Sequence, residues 1–290
     1  MAELTVQAYA KINLTLEVVR RLPSGYHELR TVFQQIALCD DLVLEDSNKI
    51  GLTCNDTSLA IGSGNLAWRA AALIVSRCCP QRAVHIHLHK RIPIGGGLGG
   101  GSADAAAVLV GLNRLWNLGL TRQELMALGA ELGMDVPFCI LGGTALGTGR
   151  GEDLTPLPPL PPLALVLAHP GTSVSTAQAY AGLRPHHMGN GEATAAMVSA
   201  ISRGDMRAVA AGLYNVFEQS LMSHLPAIGR IKSLMLEGGA WNAALTGSGA
   251  CVFALAGSPD EAEAIAAAVR REFPDVIVTR TREASETSQV

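Results

Sequence analysis

The chain has 290 residues, 48% of them apolar and 4% aromatic, which allows a core of Leu, Val, Ile and Ala in one large domain or two ordinary ones. Its 22 basic and 25 acidic residues leave a net charge of −3. That excludes a broad field for nucleic acid or an acidic membrane, so any anionic ligand has to be gripped locally. The six cysteines form no C-x-x-C pair, and there is neither a basic-then-apolar leader nor an apolar run long enough to span a bilayer. The expectation is a soluble cytoplasmic protein with free core thiols and a small-molecule substrate. It would be a monomer or homodimer without nucleic-acid or membrane partners.

In chain order, "QAYAKINLTLEV" (7–18) alternates, with Tyr9, Lys11, Asn13 and Thr15 on one face and Ala10, Ile12, Leu14 and Leu16 on the other, as in a half-buried strand. After the turn "LPSGY" come "ELRTVFQQIAL" and a second strand, "DDLVLE". A helix is predicted over 65–78 and a strand over 84–90, where His85, His87 and His89 share a face. A solvated face explains those histidines more simply than a chelating one. The run after Ser102 is helical, with Ala105, Val108, Leu109, Leu112 and Trp116 as one stripe and Asp104, Ala107, Gly111 and Arg114 opposite. "TRQELMALGAEL" (121–132) carries a capping-box signature.

The five prolines of "LTPLPPLPPL" (154–163) mark a domain boundary near 157. Beyond them "LALVLAHP" reads as a buried strand, "TAAMVSAISRG" and "MRAVAAGLYNVFEQSL" as helices, and "AALTGSGACVFALAG" as strand, glycine loop, strand. A capped amphipathic helix (258–273), a last strand "DVIVTRT" and a disordered polar tail from 282 complete the chain.

Six glycines occupy the seven positions Gly95–Gly101, between a strand and a helix N-terminus. Such a loop lets backbone N–H groups converge on an anion where the helix dipole favours negative charge. Gly95-x-Gly97-x-x-Gly100 fits a dinucleotide fingerprint only formally, because the strand before it is half polar and Leu-Trp-Asn stands at 115–117 where an acidic residue is needed. No Gly-Lys-Ser/Thr follows, so it is not a P-loop. A ligand-free turn would waste the conformational entropy of six glycines.

The pattern Pro93-x-x-x-Gly97-Leu98-Gly99-Gly-Gly-Ser102-Ala103 resembles the phosphate loop of the GHMP kinase superfamily of small-molecule kinases. "AYAKINLTL" (8–16) and "LTGSGACVFAL" (245–255) resemble two further superfamily motifs. "LPSGYHELRTVFQ" (22–34), "LGMDVPFCILGG" (132–143) and "LAHPGTSVST" (167–176) narrow the likeness to the branch acting on a cytidine-diphosphate-linked methylerythritol. The likeness runs from about residue 8 to 255 and is weakest over 177–240. It implies an α+β, two-domain GHMP kinase fold. An ATP-binding N-terminal domain (1–157) would meet a smaller ferredoxin-like C-terminal substrate domain (158–290) at the active-site cleft, with the last strand free to return to the first domain.

The implied reaction is ATP- and Mg²⁺-dependent phosphorylation of the substrate's 2-hydroxyl in non-mevalonate isoprenoid synthesis, with no certain protein ligand for the metal. By the same resemblance Asp135 is the catalytic base, although an Asp two residues before a Pro also fits a helix cap, and both roles stay open. Lys11 stands beside it; with 18 Arg and only four Lys in the chain, a lysine carries some information. Asn13 would bind substrate, Tyr26 would stack on cytosine, and His27 would hydrogen-bond its polar edge. Thr176 and Tyr180 are looser candidates for that pocket. The nucleotide would meet Asn65, Leu66, Pro93, Ile94, Gly95, Gly96, Gly97, Leu98, Gly99, Gly100, Gly101, Ser102 and Ala103. Ser102 would cap the helix or reach magnesium, Asp104 is an outer-shell metal candidate, and Thr246 to Gly249 would line the site or merely turn.

Three rivals remain. One is another GHMP kinase, for a mevalonate-, homoserine- or sugar-type substrate, against which "GYHEL" argues. The second is a non-catalytic nucleotide sensor of the same fold, against which the presence of both Lys11 and Asp135 argues. The third is a dinucleotide oxidoreductase, tested by whether NAD(H) binds at all.

Overall fold

The computed structural model describes residues 2–23, 25–184 and 187–283. Two long strands, β1 (Glu3–Arg21) and β2 (His27–Asp46), pair antiparallel and form the spine of the first sheet. "ELRTVFQQIAL" and "DDLVLE" are thus one strand and not two. β3 (Gly51–Cys54), α1 (Leu66–Cys78) and β4 (Val84–His89) make a βαβ unit whose second strand pairs with the Asp41–Asp46 half of β2. After α2 (Gly100–Leu115), α3 (Arg122–Leu132) and α4 (Val136–Leu141), β5 (Thr144–Thr148) pairs with the Thr31–Gln34 half of the same β2 edge. β6 (Asp153–Pro156) follows it.

The proline segment then leads into β7 (Ala164–Ala168), followed by α5 (Thr176–Ala181), α6 (Glu192–Ser202) and α7 (Met206–Ala211). Next come β8 (Tyr214–Asn215), α8 (Glu218–His224), α9 (Pro226–Glu237), β9 (Asn242–Leu245), β10 (Val252–Ala256), α10 (Pro259–Arg270) and β11 (Val276–Arg280). The second sheet has the order β11-β7-β10-β9, all antiparallel. With α9 and α10 this is the split-βαβ, ferredoxin-like arrangement. The last strand stays in that sheet, while Thr281 just beyond it bridges to Ile36 of β2. Arg282 does not begin a polar tail, because it is buried and its N–H donates to the Gln35 carbonyl; residues 284–290 of that tail lie outside the described ones.

Several local expectations change under tertiary packing. The polar face of β1 is not solvated: Lys11, Asn13 and Thr15 are all buried. Register shifts between Tyr9 and Lys11 and between Asn13 and Thr15 re-aim these side chains, as bulges do. α2 is buried on both faces, Asp104 and Ala107 included, because the first sheet covers one side and α1, α3 and α4 the other. Residues 206–221 are not one helix. Asn215 in the middle donates to the Leu245 and Gly247 carbonyls and accepts from the Phe217 N–H, which holds Tyr214–Asn215 as a short strand parallel to β1. The two capped helices form as read, with Thr121 and Glu124 closing a capping box and Ser258 capping α10.

The halves share their cores. Leu165, Phe253 and Leu255 of the second sheet pack with the α1–α2 cluster, while Leu16 and Val18 of β1 pack with α9 and α10. Their tightest seam joins two glycine loops. The N–H groups of Ala250 and Cys251 donate to the carbonyls of Gly95 and Gly96. Gly97 (φ 74°) lies so close to Thr246 that a Cβ there would run into the Thr246 carbonyl oxygen, and a Cβ on Gly247 would come within 2.7 Å of the Gly97 carbonyl oxygen. Part of the glycine requirement is therefore backbone-to-backbone packing.

Gly119 has the same backbone sign (φ 71°) but open space around it. Gly119→Ala is expected to lower stability by about 1–2 kcal/mol, the cost of a left-handed φ. Gly97→Ala should lose clearly more, because a carbonyl on the opposing loop must also give way. Urea unfolding midpoints at unchanged m-value check this; equal losses would mean that the loop seam is slack.

Candidate active site

Lys11 is 3% exposed. Its Nζ donates to Asn13 Oδ1 at 2.8 Å, lies 3.3 Å from Asp135 Oδ2, and sits 5.5 Å from the centroid of the Phe33 ring. Asn13 is tied down at both ends: Oδ1 also accepts from Gly247 N–H at 3.1 Å, and Nδ2 donates one of its two N–H groups to Thr31 Oγ1 at 2.7 Å. It orients the lysine and ties it to the second glycine loop. Asp135 stands at the N-cap of α4 without making a capping hydrogen bond. Its carboxylate, one-third exposed, instead faces Lys11, so the side chain is not spent on capping.

These groups open on a cavity of about 760 Å³. Lys11, Asn13, Tyr26, His27, Ser102, Asp135, Thr176 and Tyr180 line it, with Gly95, Gly97 and Gly99 as one wall. A second cavity, of about 250 Å³, lies on the other side of the same loop, against Asn65, Leu66, Pro93, Ile94 and Gly95–Gly101. Asn65 caps α1 through Oδ1, which accepts from Ala67 N–H at 2.9 Å. The glycine loop therefore lies between a smaller and a larger chamber.

α2 begins at Gly100 with Gly99 (φ 69°) as its N-cap, so Ser102 does not cap it. Ala103 N–H donates to the Gly99 carbonyl at 2.8 Å and its side chain is buried; it has nothing left for a ligand. The N–H groups of Gly100, Gly101 and Ser102 are those of the first turn that lack an intrahelical partner. Leu98 likewise turns its side chain into the core, while its carbonyl accepts from Lys11 N–H.

At the far end of the large cavity the rings of His27 and Tyr180 are 4.8 Å apart, and Phe217 meets Tyr180 edge-on at 4.9 Å. Burial, with Arg21 nearby, lowers the His27 pKa. Burial and the Asp135 charge push the Tyr180 hydroxyl up to about 12, which keeps it a donor. Tyr26 is 57% exposed, with the Arg150 guanidinium 5.3 Å from its ring centroid. Thr176 Oγ1 is 3.1 Å from Ser248 Oγ.

Sequence reasoning missed Arg150, Phe217 and Lys90. Arg150 sits in an irregular loop and left no signal, whereas the scarcity of lysine that singled out Lys11 applied equally to Lys90. His85 and His87 reach Thr53 and Glu45 on the sheet face. Among the described residues no group of three or more His, Cys, Asp or Glu is placed to hold a metal, and no helix is long and apolar enough to cross a membrane.

Residues 65–143 match the model for the GHMP kinases N terminal domain and residues 197–275 that for GHMP kinases C terminal. A 4-diphosphocytidyl-2-C-methyl-D-erythritol kinase of Moorella thermoacetica is 46% identical over 289 residues, covering 97% of this chain and 100% of the relative. One of Brevibacillus brevis is 42% identical over 285 residues, 98% of each. A solved 4-(cytidine 5′-diphospho)-2C-methyl-D-erythritol kinase superposes with a TM-score of 0.83 at 37% identity, over 96% of this chain and 99% of that one. A homoserine kinase from Cytophaga hutchinsonii, 20% identical with a TM-score of 0.80 over 98% and 96% of the two chains, shares the fold. The chain belongs to the GHMP kinase superfamily and, within it, to the family of 4-diphosphocytidyl-2-C-methyl-D-erythritol kinases.

Proposed function

We infer that the protein transfers the γ-phosphoryl group of ATP to the 2-hydroxyl of 4-diphosphocytidyl-2-C-methyl-D-erythritol, giving the 2-phosphate, a step of non-mevalonate isoprenoid synthesis. The observation that carries this reading is the Lys11–Asp135 pair at 3.3 Å, in a cavity walled by the same glycine loop that lines the smaller chamber. Nucleoside and phosphates would occupy the smaller chamber and the loop. The cytidyl substrate would fill the larger one, so the reacting hydroxyl and the γ-phosphate come together beside this pair. The same reading sets the boundary between the ATP-binding domain and the second domain at the proline segment near residue 157, with the cytidyl pocket drawing residues from both sides of it.

The unpaired N–H groups of Gly100, Gly101 and Ser102 hold phosphate oxygens at the positive end of α2. Asp135 accepts the proton of the attacking hydroxyl; with a loose transition state its main work is to orient that oxygen in line. An ammonium has three donors, and Asn13 and Asp135 take two of those on Lys11. The third is free for a phosphoryl oxygen as charge builds during transfer. Ser102, which lines the large cavity, would be the residue to reach a Mg²⁺ ion held chiefly by phosphate oxygens and water. The ion would neutralise phosphate charge. His27, Tyr26 and Tyr180 receive the cytosine ring, and Arg150 at the rim meets the substrate's diphosphate.

ADP release with ATP and Mg²⁺ tests the reading. Turnover should need the cytidyl substrate and be absent with mevalonate or homoserine, and Asp135→Asn should lower kcat by about 100- to 10,000-fold. Turnover with mevalonate or homoserine instead would reassign the substrate, and full activity of the variant would remove Asp135 from the mechanism.

A pH profile tests His27. Its lowered pKa means that the ring stays neutral further into acid than a free imidazole, so the neutral form binds the base across neutral pH. KM for the cytidyl substrate should be flat down to about pH 6.5 and rise below it, and the rise should vanish in His27→Gln. A rise already complete above the ordinary imidazole range would contradict the assignment.

A further inference from the structure

Behind the glycine loop lies a buried charge cluster that the proposed transfer step does not use. The Lys90 ammonium, with 6% of its side chain exposed, pairs with Asp40 and lies 2.8 Å from Asp104 Oδ2. Asp40 is fully occupied. Its Oδ2 takes the lysine, and its Oδ1 accepts the N–H groups of Arg91 and Ile92 at 2.5 and 2.8 Å. Asp104 is not. Its side chain is 3% exposed, yet Oδ1 is buried without a hydrogen-bond partner. Both Lys90 and Asp104 line the chamber of about 250 Å³, together with Asn65 and Leu66.

A carboxylate oxygen buried without a partner loses its hydration and gains nothing in exchange, so its presence in a folded protein calls for an explanation. Burial, with the Asp40 charge beside it, pushes the Asp104 carboxyl up to about 7 against the pull of Lys90, so at neutral pH and above the ionised form leaves Oδ1 an acceptor whose partner must be a donor. Phosphate oxygens cannot serve, because they are acceptors and carry like charge. A divalent cation is disfavoured by the ammonium on the neighbouring oxygen. What remains of a nucleoside triphosphate is its nucleoside, which offers N–H donors on the exocyclic amine of the base and O–H donors on the ribose.

Resting on the reading of this chamber as the nucleotide site, we propose that Asp104 is a specificity-determining residue whose Oδ1 accepts a hydrogen bond from an N–H or O–H donor of the bound nucleoside, with Lys90 and Asp40 holding the carboxylate in place. Lys90 fixes Oδ2, which leaves Oδ1 as the oxygen without a partner. Since the acceptor is buried, a nucleotide that lacks the donor leaves it unpaired, and the contact discriminates against that nucleotide.

The test is calorimetric titration of the whole protein with ATP, 2′-deoxy-ATP, 3′-deoxy-ATP and inosine triphosphate, repeated on Asp104→Ala and the isosteric Asp104→Asn. In the wild type one analogue should bind about 10- to 100-fold more weakly than ATP. Inosine triphosphate in that role identifies the exocyclic amine as donor; a deoxy analogue identifies the ribose. In Asp104→Ala that analogue and ATP should bind alike. In Asp104→Asn the gap should shrink without closing, and this variant carries the test if the alanine variant does not fold. The proposal is overturned if ATP and all analogues weaken by one common factor, which marks a purely structural role, or if the wild-type gap is missing or persists unchanged in the variants. No ATP binding by the wild type would instead overturn the nucleotide reading beneath it.

Discussion

Lys11 carries a full positive charge to a place where 3% of its surface meets solvent, and much of the cleft is arranged around that fact. Removing an ammonium from water is expensive unless nearby groups replace its hydration. Here an amide oxygen, a carboxylate and an aromatic face do so, from Asn13, Asp135 and Phe33. Each comes from a different stretch of chain, so the lysine can be satisfied only when β1, β2 and the start of α4 are assembled. Of the three partners the carboxylate is the most exposed, with one-third of its side chain open to solvent.

The second constraint is the seam between the two glycine loops. Asn13 Oδ1 accepts from both Lys11 and Gly247, Gly247 lies against Gly97, and Asn215 holds the Gly247 and Leu245 carbonyls. Lysine, phosphate loop and second loop thus share a single hydrogen-bonded frame that spans both halves of the molecule. A ligand on the loop and a ligand beside Lys11 are positioned against the same rigid reference, which in-line phosphoryl transfer requires.

Much of this was legible in the chain itself. The strand, glycine run and helix around Gly95–Ser102 are strong local signals, and Lys11, Asp135, Tyr26, His27 and Tyr180 do converge on one cavity. The features that escaped are those set by distant partners. The alternation of β1 marked Lys11 and Asn13 as polar-face residues but could not show that the other half of the chain covers that face. Helical propensity over 206–221 was overridden by three hydrogen bonds of Asn215. Asp104 read as the exposed side of an amphipathic helix because nothing local reveals that Lys90 and Asp40 sit behind it. Arg150, in a loop without periodicity, had no local pattern to mark it.

The central claim is that Lys11 and Asp135 act as one unit on the transferring phosphoryl group. The direct measurement is kcat for ADP release with the cytidyl substrate in Lys11→Met, Asp135→Asn and the double variant. Residues that work as a unit give strongly non-additive losses, so the double variant should be no more than a few-fold slower than the slower single one. If instead the two losses multiply, the residues act independently and the pair is not the catalytic element described here.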